Sequence, residues 1–144
     1  MEHETAFVKA FIKREKWARY LQLLGNRRRR EEILVRLNHK LDYMADLAVE
    51  VPADQDFPEA LERLLRARGA PATCHVMVNG LRIDGREVPL REALNTICMH
   101  MYGSVLSCLP GRLAYYRPEA PGPGVILSSE GGAHSPAKRS PERR

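Results

Sequence analysis

Thr73-Cys74-His75-Val76-Met77-Val78-Asn79-Gly80 marks the point where the chain changes character. The six residues before the Asn-Gly pair lean to β structure, and Asn-Gly is the strongest short hairpin signal. Asp84-Gly85 is a second signal of the same kind, five residues further on. Pattern alone leaves open which of the two closes a hairpin. Pro89 then opens a predicted helix in which Leu90, Ala93, Leu94, Ile97 and Met101 recur at helical spacing, with Gly103 closing it. Residues 104–109 alternate in part like a strand. Pro110-Gly111 is a type II turn pair, and residues 112–117 return as a Tyr-rich strand. A type II turn matches strand twist poorly in a two-residue hairpin, which predicts a longer loop or a bulge there. Neighbours in a strand point to opposite faces, so at most one of Tyr115 and Tyr116 is expected to be buried and the other to be exposed.

Upstream, residues 1–70 read as helical. In residues 5–24, Phe7, Ala10, Phe11, Trp17, Ala18, Leu21 and Leu24 fall within an arc of about 140° at the helical period, a core-facing stripe that stops at Gly25-Asn26. A second helix over residues 27–44 gathers Ile33, Leu34, Leu37, Leu41 and Met44 on one side, and so short a connection predicts a helical hairpin. The third helix has the best local signals. Asp56 is placed to cap it with Glu59 as capping-box partner, Pro58 sits in its first turn, Phe57, Ala60, Leu61, Leu64 and Leu65 form the stripe, and Gly69 ends it. The expected fold is therefore α+β: three helices, then a ββαββ unit with a small, mainly antiparallel sheet.

The expected domain covers residues 1–117. Residues 118–144 hold five Pro, four Gly and four Ser, a composition that predicts a flexible tail. Within it, Val125-Ile126-Leu127 is the one segment expected to add an edge strand or dock on the domain.

Composition excludes several classes. No apolar run approaches the roughly 18 residues of a membrane span, so no membrane partner is expected. The first residues lack the charged-then-apolar pattern of a secretory signal. Cys74, Cys98 and Cys108 are odd in number and widely spaced, which predicts reduced thiols and a cytoplasmic protein. His75, Cys98, His100 and Cys108 are eligible metal ligands but show no ligand spacing, so neither metal nor cofactor is expected. No nucleophile elbow, phosphate loop or dinucleotide fingerprint is present.

Charge carries the functional expectation. Lys and Arg total 23 against 18 acids, a net charge of +5. Arg27-Arg28-Arg29-Arg30 is a basic run at a predicted helix start. Lys9, Lys13 and Lys16, with Tyr20, lie on the side of the first helix opposite its apolar stripe. Arg29, Arg36 and Lys40 fall within an arc of about 40° on the second. Joined in a hairpin, these would form one basic surface. The leading expectation is a small non-catalytic interaction or regulatory protein that binds an acidic protein partner there, and changing residues 27–30 to Gln is expected to leave folding intact. The alternative is sequence-independent nucleic-acid binding through the same surface. Trp17 and an exposed Tyr would then be the stacking candidates, with Trp17 better placed in the core. Arg112, beside the rigid Pro-Gly turn, is a candidate anion clamp. A further alternative is an enzyme using Asp84, Glu87, Cys108 or Arg112, which requires a cleft that joins them.

Overall fold

The computed structural model describes residues 2–100, 103–119 and 122–129, and for Lys40 only its place in the backbone. These residues form five α-helices and six strands: α1 Glu2–Phe11, α2 Trp17–Leu24, α3 Glu32–Lys40, β1 Ala48–Glu50, α4 Pro58–Ala67, β2 Thr73–Val78, β3 Glu87–Pro89, α5 Leu90–Cys98, β4 Ser104–Leu109, β5 Leu113–Arg117 and β6 Val125–Ser128. The fold is α+β. One sheet, ordered β1-β6-β5-β4-β2-β3, is antiparallel at every pairing. No helix of the described residues is long and apolar enough to cross a membrane.

Both faces of the sheet are covered. Met77, Val105, Ala114, Tyr116, Val125 and Leu127 pack with Phe7, Phe11, Leu23, Ile33 and Leu37 of α1–α3. The alternate residues Cys74, Val76, Val78, Leu106, Cys108, Leu113, Tyr115 and Ile126 pack with Leu61, Leu65, Leu94 and Ile97 of α4 and α5. This double cover corrects the expectation that one of Tyr115 and Tyr116 is exposed. They do face opposite ways, yet both are buried, because each face has its own helical layer. Pairing with β1 makes β6 an interior strand between β1 and β5 rather than an edge, which carries the sheet past residue 117. Of the expected tail, residues 120–121 and 130–144 lie outside the described residues, as do Met101 and Tyr102.

The first predicted helix is two. At Lys13 the backbone is extended (φ −55°, ψ 136°). Ile12 bridges to Tyr43, the Lys13 N–H donates to the Asp42 carbonyl at 2.9 Å, and the Met44 N–H donates to that of Phe11 at 2.7 Å. The break resets the helical phase. Tyr20 therefore does not join the outer basic side. It is fully buried, and its hydroxyl donates to Asp42 Oδ2 at 2.9 Å. Ala18, expected on the stripe, is exposed. The next helix ends at Lys40, not Met44, because Leu41 turns left-handed (φ 49°) and stands half-exposed.

Asp56 does not cap α4. The N-cap is Phe57, without a side-chain bond. The Asp56 carboxylate instead accepts from the Tyr115 hydroxyl at 2.8 Å, Arg117 Nη1 at 2.9 Å and the Gly124 N–H at 3.2 Å. Both hairpin signals serve one connection between β2 and β3, with Gly80 at φ 74° and Gly85 at φ 77°. At Pro110-Gly111 the Arg112 N–H donates to the Leu109 carbonyl at 2.9 Å, and the β4–β5 register shifts between Ser107 and Leu109. Gly103 directly precedes β4 rather than closing α5, which ends at Cys98, and a Cβ there would strike the Asn38 amide.

Candidate functional site

Glu4 stands three, four and seven residues before Phe7, Val8 and Phe11, on the face of α1 that enters the core. It is fully buried. A buried carboxylate needs partners, and three elements supply them. Arg30, in the turn before α3, forks onto it, Nη1 to Oε1 at 2.6 Å and Nη2 to Oε2 at 2.8 Å. His75 of β2 places Nε2 at 2.6 Å from Glu4 Oε2. Burial alone would raise the Glu4 pKa. The bonds from His75 and Arg30 outweigh it and hold the carboxyl at about 2. An ionised carboxylate only accepts, so His75 Nε2 is the donor.

The same guanidinium reaches Asp84 in the β2–β3 connection, Nε to Oδ2 at 3.2 Å and Nη2 to Oδ1 at 3.0 Å. Asp84 Oδ1 also accepts from the Val78 N–H at 3.0 Å. The His3 ring stacks on that of His75 with centroids 5.2 Å apart and planes 7° apart, and its Nδ1 lies 2.7 Å from Ser107 Oγ on β4. Burial, followed by the neighbouring His75, lowers the His3 pKa. The cluster ties α1 and the turn before α3 to β2, β4 and the β2–β3 connection. Burial and full pairing make it a lock.

The basic candidates divide on this basis. Arg30 belongs to the lock. Arg29 is paired with Glu32 at 2.9 Å, one turn along. Arg36 is half-buried, with its Nε enclosed and without a hydrogen-bond partner among the described residues. Lys40 is placed only as the last residue of α3. Lys9, Arg27 and Arg28 are exposed, and Lys13 and Lys16 are half-buried. Among the described residues none of these five forms an ion pair. Lys13 and Lys16 precede α2, whereas Arg27 and Arg28 follow it, and eight helical residues separate the two groups by about 12 Å. Next to Lys16, Trp17 is half-buried, donates its indole N–H to the Ile12 carbonyl at 2.8 Å, and carries the Arg14 guanidinium 5.5 Å from its ring centre.

The residues of the enzyme alternative are not brought together. Asp84 is held by Arg30, and Glu87 is exposed on β3, accepting from the Thr73 hydroxyl at 2.5 Å. Cys108 faces α4 and α5, on the side of the sheet away from Glu4 and Arg30. Burial pushes its thiol well above the ordinary range, and that of Cys74 up to about 12. Arg112 is exposed in the β4–β5 turn. Among the described residues no group of three or more His, Cys, Asp or Glu has the geometry to hold a metal ion.

Sequence reasoning missed the lock. Its one local signal is Glu4 itself, an acid in phase with an apolar stripe. Its partners Arg30 and His75 come from 26 and 71 positions away, beyond what spacing shows. Comparison with protein-family models, curated proteins and solved structures finds no match for this chain.

Proposed function

We propose that the protein is a non-catalytic interaction module that captures an acidic protein partner through Lys9, Lys13 and Lys16 together with Arg27 and Arg28. One observation carries this reading. Arg29, Arg30, Arg66, Arg91 and Arg117 are all committed to carboxylates of the same chain, while these five cations, which flank the two ends of α2 in sequence, form no ion pair among the described residues. The surface is narrower than the nine-residue set expected from sequence, and it has two lobes at the ends of α2. Clustered uncompensated charge raises the encounter rate with an oppositely charged partner, and the attraction weakens with salt.

The test is fluorescence anisotropy of the full chain with a labelled glutamate-rich peptide and, in parallel, labelled short DNA and RNA, at about 50 and 200 mM salt. Capture of the peptide at low salt, weaker at high salt, is the expected result. Failure to bind the peptide at low salt overturns the proposal. Tighter binding of DNA or RNA, with the steep salt slope of counterion release, replaces it with a phosphate-binding function of the same residues.

A further inference from the structure

A cleft of about 370 Å³ opens between the C-terminal end of α3, the end of β1 and the start of β6. The charge of its described walls is opposite in sign to that of the chain. The sequence carries a net charge of +5, yet the described walls include two carboxylates, Glu50 and Glu119, and no Lys or Arg. Both carboxylates are exposed, and neither is in an ion pair among the described residues. The only basic side chain of these walls is His39.

Two aromatic rings form a corner of the cleft. Tyr43 and Tyr116 have centroids 5.9 Å apart and planes inclined by 55°. Tyr43 is partly open, while Tyr116 is sealed behind it. The carboxylates act on both phenols. Burial, then the charge of Glu50, raises the pKa of Tyr43. Burial, then Tyr43 and Glu119, raises that of Tyr116.

The walls are built before any ligand arrives. Asn38 Oδ1 accepts from the Tyr116 hydroxyl and, at 3.2 Å, from the Glu119 N–H. The Asn38 amide is in turn packed against Gly103, where there is no room for a Cβ. One side chain thus pins the end of β5 and the segment after it to α3. The half-exposed Leu41 and the rings of Pro118 and Pro123 add apolar surface.

From this combination we infer that the cleft binds a small organic cation, a guanidinium or primary ammonium on a short apolar stem. The carboxylates take the charge through charge-assisted hydrogen bonds. The partly open Tyr43 ring attracts it as a cation–π partner, and Leu41 and the prolines cover the stem. The volume is at the lower end of small-ligand sites. The same group can arrive as a free amine or as the Arg or Lys side chain of a peptide.

The probes are agmatine, the blocked tripeptide acetyl-Gly-Arg-Gly-amide and, as an anionic control, glutarate. Each is titrated into the full chain by calorimetry, with the Tyr43 and Tyr116 ring resonances followed by NMR. Saturable binding of agmatine or the tripeptide with ring shifts, and none of glutarate, is expected. Tighter binding of agmatine assigns a free amine, and tighter binding of the tripeptide assigns a peptide side chain. The Glu50→Gln/Glu119→Gln variant should bind at least tenfold more weakly, and Glu119→Gln alone serves if the pair fails to fold. No saturable binding of either cation, or equal affinity in a folded Gln variant, overturns the inference.

Discussion

Replacing Arg30 with Gln tests whether this residue belongs to the interior or to the basic surface. In the native protein its guanidinium neutralises Glu4, which is fully buried, and Asp84. The substitution leaves Glu4 beneath α1 with His75 alone. Removing one partner of a buried ion pair typically costs about 3–5 kcal/mol. The Glu4 carboxyl gives a second route to the magnitude. Its fall from 4.5 to about 2 corresponds to roughly 3 kcal/mol at neutral pH. That figure covers His75 as well as Arg30 and is offset by burial. A loss of about 3 kcal/mol is therefore expected, a large part of the stability of a domain this size. The sign with pH follows from a depressed acid. The stabilisation is complete above the unfolded value of 4.5 and disappears as pH falls through about 2. Urea denaturation at pH 7 should show the full difference between the two proteins, and the difference should shrink as pH falls from 4.5 towards 2. Glu4→Gln combined with Arg30→Gln should recover part of the loss, since a neutral pair leaves no buried charge. An Arg30→Gln midpoint equal to wild type at pH 7, or a difference that ignores pH, would refute the lock. The expectation that Gln at positions 27–30 leaves folding intact is replaced by this one for Arg30, and retained for Arg27 and Arg28.

Other consequences are equally open to measurement. Tyr20→Phe removes the hydroxyl that donates to the buried Asp42 carboxylate and should lower stability by about 1–3 kcal/mol in urea denaturation. Gly103→Ala forces a methyl group into the Asn38 amide and should cost about 1–3 kcal/mol by thermal melting; an unchanged melt would show that Asn38 is free to move. The pKa of His3 lies below 6.5 through burial and its contact with His75, so the folded state binds fewer protons there than the unfolded chain. That contribution is present above pH 6.5 and is lost as pH falls below it, and His3→Ala should flatten this part of the stability–pH curve. Cys74 and Cys108 are buried, with thiols pushed upward. Iodoacetamide should label them only after unfolding, and fast labelling of the native protein would contradict their placement.

Local chemistry made much of this fold legible. Asn79-Gly80, Asp84-Gly85 and Pro110-Gly111 all mark real turns, because a left-handed residue demands Gly and sequence records that demand directly. Pro58 and Gly69 bracket α4 for similar reasons. The breaks after Phe11 and at Leu41 were not legible, since neither carries Gly or Pro; they are imposed by the bridge of Ile12 to Tyr43, a tertiary contact. Asp56 is the instructive case. Its position before a helix fits a cap, but Tyr115, Arg117 and the Gly124 N–H compete for its carboxylate and win. The basic surface was legible as a composition and not as a site. Nothing near Arg30 in sequence tells it from Arg27 and Arg28, and only the arrival of Glu4 and Asp84 separates a structural cation from a free one.

Whether the unpaired cations around α2 form a binding surface is decided by a charge-matched comparison. One variant changes Lys9, Lys16, Arg27 and Arg28 to Gln, and the other changes Arg63 on α4, Arg68 just after it, and Arg82 and Arg86 between β2 and β3, which likewise form no ion pair among the described residues, so both lose four positive charges. Binding of a labelled glutamate-rich peptide is measured for each at about 50 mM salt. At least a tenfold loss is expected for the first variant, about 1.4 kcal/mol, and a much smaller loss for the second. Equal losses would show that the peptide senses net charge alone and would contradict a binding surface formed by Lys9, Lys13, Lys16, Arg27 and Arg28.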